Sequence, residues 1–141
     1  MTAGTTSLTV YDQLYVYAGS RGRERFILQN VVDAHHAQTA TDQTKTIVII
    51  MALVGLYLHV ERGFSGLQVQ HVHMQLGRKK HQWPKIVRPP TRGTVTPEDV
   101  MRVPEGDERD GAIADWCRSV WEAYRQNRET IIDLLQRHRV I

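Results

Sequence analysis

Residues 47–60, IVIIMALVGLYLHV, run for fourteen positions without a charge. A helix that crosses a bilayer needs about 20 apolar residues, so the run is too short to span a membrane. A β-strand usually extends over about 5–6 residues, so it is too long for one. A helix that is apolar on every side has to be enclosed by the rest of the protein. The run therefore predicts a buried central helix from Lys45 to Glu61, with Gly63 in the usual C-terminal role. The expected fold is all-α: an irregular bundle of four main helices around this buried one, with a proline-rich connector and one short extra helix.

Working towards the N-terminus, TATDQT (39–44) favours a turn, because its side chains compete with helical hydrogen bonds. Before it a helix is expected from Arg23 to Thr39, with Leu28, Val31, Val32 and His35 on one face and Gln29, Asp33 and His36 on a more polar one. Thr9 and Asp12 have the form of a capping box, which opens a first helix from Val10 to Ala18.

Working towards the C-terminus, Ser65 and Gln68 form a second capping box. Val69, Val72, His73 and Leu76 then share one stripe at helical spacing. Gly77-Arg78-Lys79-Lys80 suits a helix end, where cations meet the negative pole of the dipole. Pro84, Pro89 and Pro90 forbid regular structure in the connector, and Trp83 is expected to anchor it on the bundle. Thr96-Pro97 starts a short helix. From Asp107 to Arg137 an apolar stripe through Ile113, Trp116, Cys117, Val120, Tyr124, Ile131 and Leu134 predicts one long amphipathic helix lying along the central one.

The bulk properties narrow the function classes. A chain of 141 residues with 41% hydrophobic and 23% charged residues is read as one helical domain over 9–141, preceded by a flexible, small and polar 1–8. A formal charge of +3 is spread diffusely, which does not favour nucleic acid as a partner. The exception is Arg78-Lys79-Lys80 beside Trp83, the candidate contact should the protein bind nucleic acid weakly. A single cysteine, Cys117, excludes an internal disulfide and a multi-cysteine zinc site. No secretory leader is recognisable, so a reducing cytoplasmic setting is expected. No glycine loop of phosphate-cradling form and no G-x-S-x-G occurs.

Taken together, FILQNVVDAHHAQ (26–38), ALVGLYLHVERGFSGLQVQHVHM (52–74), Trp83-Pro84, TVTPEDV (94–100) and IADWCRSVWEAYRQNRETIIDLL (113–135) resemble one family of small helical bacterial proteins of unknown function. The likeness runs from Tyr11 to His138, and GLYLHVERGFSG is its most specific block. The resemblance implies a helical fold and no stated activity. It carries over Gln29, Asp33, Gln38, His59, Glu61, His73, Trp83, Trp116 and Trp121. The double histidine His35-His36 departs from its pattern.

Three functions follow as expectations. The first is a helical bundle of unknown role that self-associates as a homodimer. The second is an acid–base or metal-dependent enzyme. Metals in helical bundles are held by carboxylates and imidazoles that project inward from facing helices, and Asp33, His36, His59 and His73 are the candidates. A divalent metal is the cofactor such a set would take, although no cofactor motif is present. Glu61 cannot join His59 as a chelate, because two helical positions lie about 200° apart around the axis. The third is the weak nucleic-acid binder. Each candidate also has a structural reading. Asp33 would pair with Lys45, an arginine or His59. His59 would tie the helix end to Asp33 or Tyr57. His73 would be a core histidine satisfied by one polar neighbour, and Cys117 a small hydrophobe.

Overall fold

The structure is a computed structural model that describes residues 9–78 and 82–141. The expected flexible segment 1–8 and the candidate basic residues Lys79 and Lys80 lie outside the described residues. The helices are α1 (Val10–Gly19), α2 (Ile27–Thr39), α3 (Thr46–Arg62), α4 (Gly66–Gly77), α5 (Pro97–Met101), α6 (Asp107–Ala123) and α7 (Arg128–Arg137), with a 3-10 turn at Arg125–Asn127 before α7. The all-α expectation holds among the described residues. None of the described helices is long and apolar enough to cross a membrane.

α3 is buried on all sides from Ile49 to Leu58 save for part of Met51. Gly63 ends it in the left-handed conformation, φ 70°, as its missing Cβ allows. The capping boxes at Thr9, Ser65 and Thr96 are all formed, each with both reciprocal hydrogen bonds.

Helix contacts revise the picture of a single hub. α3 packs against α2, α4, α6 and α7, whereas α1 packs on α2 and α5 and reaches α6 through the Tyr17 side chain. α2 is therefore a second hub, touching α1, α3, α4 and α6. Two glycines let its neighbours approach. A Cβ on Gly55 would stand 1.9 Å from Asp33 Oδ2, so α3 meets the Asp33 carboxyl directly. A Cβ on Gly66 would stand 1.8 Å from the Phe26 carbonyl oxygen.

That second contact explains why α2 begins at Ile27 rather than Arg23. The Gly66 amide donates to the Arg25 carbonyl at 2.7 Å, and Phe26 takes the left-handed conformation at φ 49°, ψ 53°. The chain cannot be helical there while it is clamped to the start of α4. The last expected helix is likewise broken. At Tyr124 the backbone leaves the α-helical region, φ −97°, ψ 9°. The buried Asn127 then pairs with Val87 of the connector, accepting from its amide at 2.7 Å and donating to its carbonyl at 2.8 Å. A straight helix would carry Asn127 away from this partner. Trp83 packs partly buried against the core, as expected of an anchor.

Candidate functional site

Most polar residues of the recognised motifs are used up as joints of the bundle. Gln38 donates to the carbonyls of Arg92 and Val95 in the connector and accepts from Trp116 Nε1 at 2.9 Å. Glu61 accepts from Trp121 Nε1 at 2.7 Å and from the Arg128 guanidinium at 2.8 Å. The Arg128 guanidinium holds the Glu61 carboxyl below its usual value. Cys117 is buried with its Sγ 3.5 Å from the Asn30 carbonyl. Burial pushes that thiol far upward, so no thiolate is available as a nucleophile.

The loose ends are on α2. Among the described residues three buried side-chain polar atoms lack a hydrogen-bond partner: Asn30 Oδ1, Asp33 Oδ2 and His35 Nδ1. An unsatisfied buried acceptor or donor costs about 1–3 kcal/mol, so three on one helix is unusual. Each of these residues lines a different recess. Asn30 lines a cleft of about 630 Å³, Asp33 a groove of about 310 Å³, and His35 a recess of about 470 Å³.

The groove holds three of the four sequence candidates. Asp33, His36 and His73 line it with Gln29, Val32, Ile47, Val48, Met51 and Ala52. Asp33 is only 3% exposed. It forms none of the expected pairs with Lys45, an arginine or His59. Instead its Oδ1 accepts from Gln29 Nε2 at 3.0 Å. Burial pushes the carboxyl well above the usual carboxylate range, with the Gln29 bond opposing. A carboxyl raised in this way favours its protonated form more than an exposed aspartate does. His73 bonds through Nε2 to the Met51 carbonyl at 2.7 Å, and burial lowers its pKa. Since a carbonyl only accepts, Nε2 carries the proton and Nδ1 the lone pair. His71 is exposed. His35 stacks on Tyr11 with ring centroids 3.6 Å apart.

His59 is elsewhere. It lines the larger cleft, and its Nδ1 meets the Phe64 carbonyl at 3.1 Å, not Asp33 or Tyr57. The four-residue metal set is therefore split between two recesses. Among the described residues no three His, Cys, Asp or Glu side chains gather into a group that could hold a metal ion.

The cleft is walled by Arg25, Ile27 and Asn30 at the start of α2, by His59 and Gly63–Ser65 with Gln68 around the α3–α4 turn, and by Asp107, Asp110, Gly111, Ile113 and Ala114 of α6. The Phe64 carbonyl fixes the His59 ring with Nδ1–H inward, which leaves Nε2 as an acceptor when the ring is neutral. Asn30 is 3% exposed with an unsatisfied oxygen. Sequence reasoning passed over Asn30, although a signal existed. It sits with Ile27, Val31, Ala34 and Ala37 at helical spacing, an amide on an apolar stripe.

Residues 8–125 match a family model described only as of unknown function. The chain belongs to that family, DUF5946. No curated protein and no solved structure matches the chain significantly. All three unsatisfied residues, the three recesses they border and the Gly55 and Gly66 contacts fall inside the DUF5946 span, which ends as the 3-10 turn begins; α7 lies beyond it.

Proposed function

We propose that this DUF5946 protein is a small-molecule-binding module whose ligand sits in the cleft between the start of α2, the α3–α4 turn and α6. The observation that carries this reading is Asn30, a buried amide whose oxygen has no protein partner and which lines the largest of the three recesses beside a histidine of fixed orientation. A bound molecule that donates a hydrogen bond would satisfy that oxygen. Ligand pockets commonly combine an apolar lining with a few convergent polar groups, and Ile27, Phe64 and Ile113 supply the lining here.

The test is a titration of the 15N-labelled protein with a library of polar fragments. Hits should shift the amides of residues 27–30 and 63–68. Asn30→Leu keeps the branched shape and removes the orphaned oxygen, so it should fold and lose these hits. Hits that fall elsewhere, or that persist unchanged in Asn30→Leu, count against the reading.

A second reading is self-association, supported by Tyr15 and Val16 of α1, which are 43% and 63% exposed side by side. Light scattering of the wild type and of Val16→Lys tests it: a dimer that becomes monomeric in the variant supports it, and a monomeric wild type ends it.

A further inference from the structure

The charges around the cleft narrow the class of molecule it takes, an inference that rests on the binding reading above. The first turn of α2 lines the cleft through Ile27 and contains no acidic residue, whereas the start of α4 is already served by the Ser65 cap and the Arg25 carbonyl. α2 also has no side-chain cap; the Gln29 amide reaches the Phe26 carbonyl, so the Ile27 and Leu28 amides are the ones left for another acceptor. With Arg25 also lining the cleft, this helix start favours a negative group.

α6 brings the opposite charge through Asp107 and Asp110. Both oxygens of Asp110 are already engaged, by Tyr17 at 2.6 Å and by Arg21 at 2.9 Å. Asp107 has a fully exposed side chain that meets Arg21 at 3.6 Å, so it retains capacity for a cation. Asn30 Oδ1 lacks a donor, and a neutral His59 ring bonded through Nδ1 presents Nε2 as an acceptor. Ile27, Phe64 and Ile113 complete the cleft with apolar surface.

We propose that the cleft binds a zwitterion with an apolar body, of the class of a hydrophobic amino acid. Its carboxylate faces Arg25 and the start of α2. Its ammonium group faces Asp107, Asn30 Oδ1 and His59 Nε2. A simple anion would leave the Asn30 oxygen unsatisfied, and a simple amine would leave Arg25 and the α2 amides unused.

The experiment titrates the full 15N-labelled chain with L-phenylalanine, phenethylamine and 3-phenylpropionate, which present both charges, the cation alone and the anion alone. L-phenylalanine should bind at least about tenfold more tightly than either half, which is about 1.4 kcal/mol. Arg25→Gln should weaken L-phenylalanine and 3-phenylpropionate and leave phenethylamine unchanged, and Asp107→Asn should do the reverse. Both residues are exposed, so these variants keep the fold. Equal affinity for the three probes, or indifference to both substitutions, overturns the proposal. Fragments that bind the cleft while none of the three probes does would remove the zwitterion and leave the binding reading intact. A cleft that takes no fragment at all removes both.

Discussion

The interface of α3 with α6 and α7 and the face of α2 are built from the same kinds of residue, yet they treat polar atoms in opposite ways. Where α3 ends, Glu61 serves Trp121 and Arg128 together, and Asn127 ties the connector through Val87. Every one of those side chains has a protein partner. On α2, Asn30, Asp33 and His35 each keep a buried atom without one, and each borders a different recess. The first region shows what this chain uses polar residues for when the purpose is stability. The second shows a helix that keeps hydrogen-bonding capacity the fold itself does not consume.

The comparison is broken most severely by filling the contact between α3 and α2. Gly55→Ala places a methyl 1.9 Å from Asp33 Oδ2, and a clash of this kind should cost about 3 kcal/mol in chemical denaturation. Combining it with Asp33→Ala should recover part of the loss, because the obstructing carboxyl is then gone; no recovery would mean that the clash lies elsewhere. Asn127→Ala should come next, at about 2 kcal/mol, since it orphans the Val87 amide and carbonyl together. Limited proteolysis of the connector should accelerate in that variant.

Glu61→Gln should cost less, about 1 kcal/mol, because the ion pair with Arg128 is partly exposed. The folded state holds the Glu61 carboxyl below its unfolded value. The stability this gives is present above the unfolded pKa and is lost as pH falls through the folded one, so wild type and variant should converge in acid. Asp33 has the opposite sign. Its carboxyl is raised in the folded state, so the folded protein holds a proton that the unfolded chain gives up. Its penalty should grow as pH rises from the unfolded carboxylate value and should level off above the folded one. Asp33→Asn should therefore match wild type near pH 4 and gain on it towards neutrality, read as Tm against pH. A gap that widens in acid instead would mean that Asp33 is charged and paired. These two pH profiles, sloping in opposite directions, are the sharpest contrast between the two regions.

The helices themselves were legible because their causes are local. The unbroken apolar run of α3, the capping boxes at Thr9, Ser65 and Thr96, and Gly63 all act within one or two turns of chain, and the structure has each of them. What could not be read was set by partners far away in sequence. The break at Tyr124 depends on Asn127 finding Val87, 40 residues before it. A six-residue gap in the stripe between Tyr124 and Ile131 was its only trace. The late start of α2 depends on Gly66. The separation of His59 from Asp33, His36 and His73 depends on which wall of α2 each neighbour covers. Sequence by itself determined that this chain folds as helices around a buried apolar one, since periodicity and capping are properties of adjacent residues. Only the tertiary structure decided which polar atoms are satisfied and which are left without a partner, because a hydrogen bond is completed by whatever the fold brings to it.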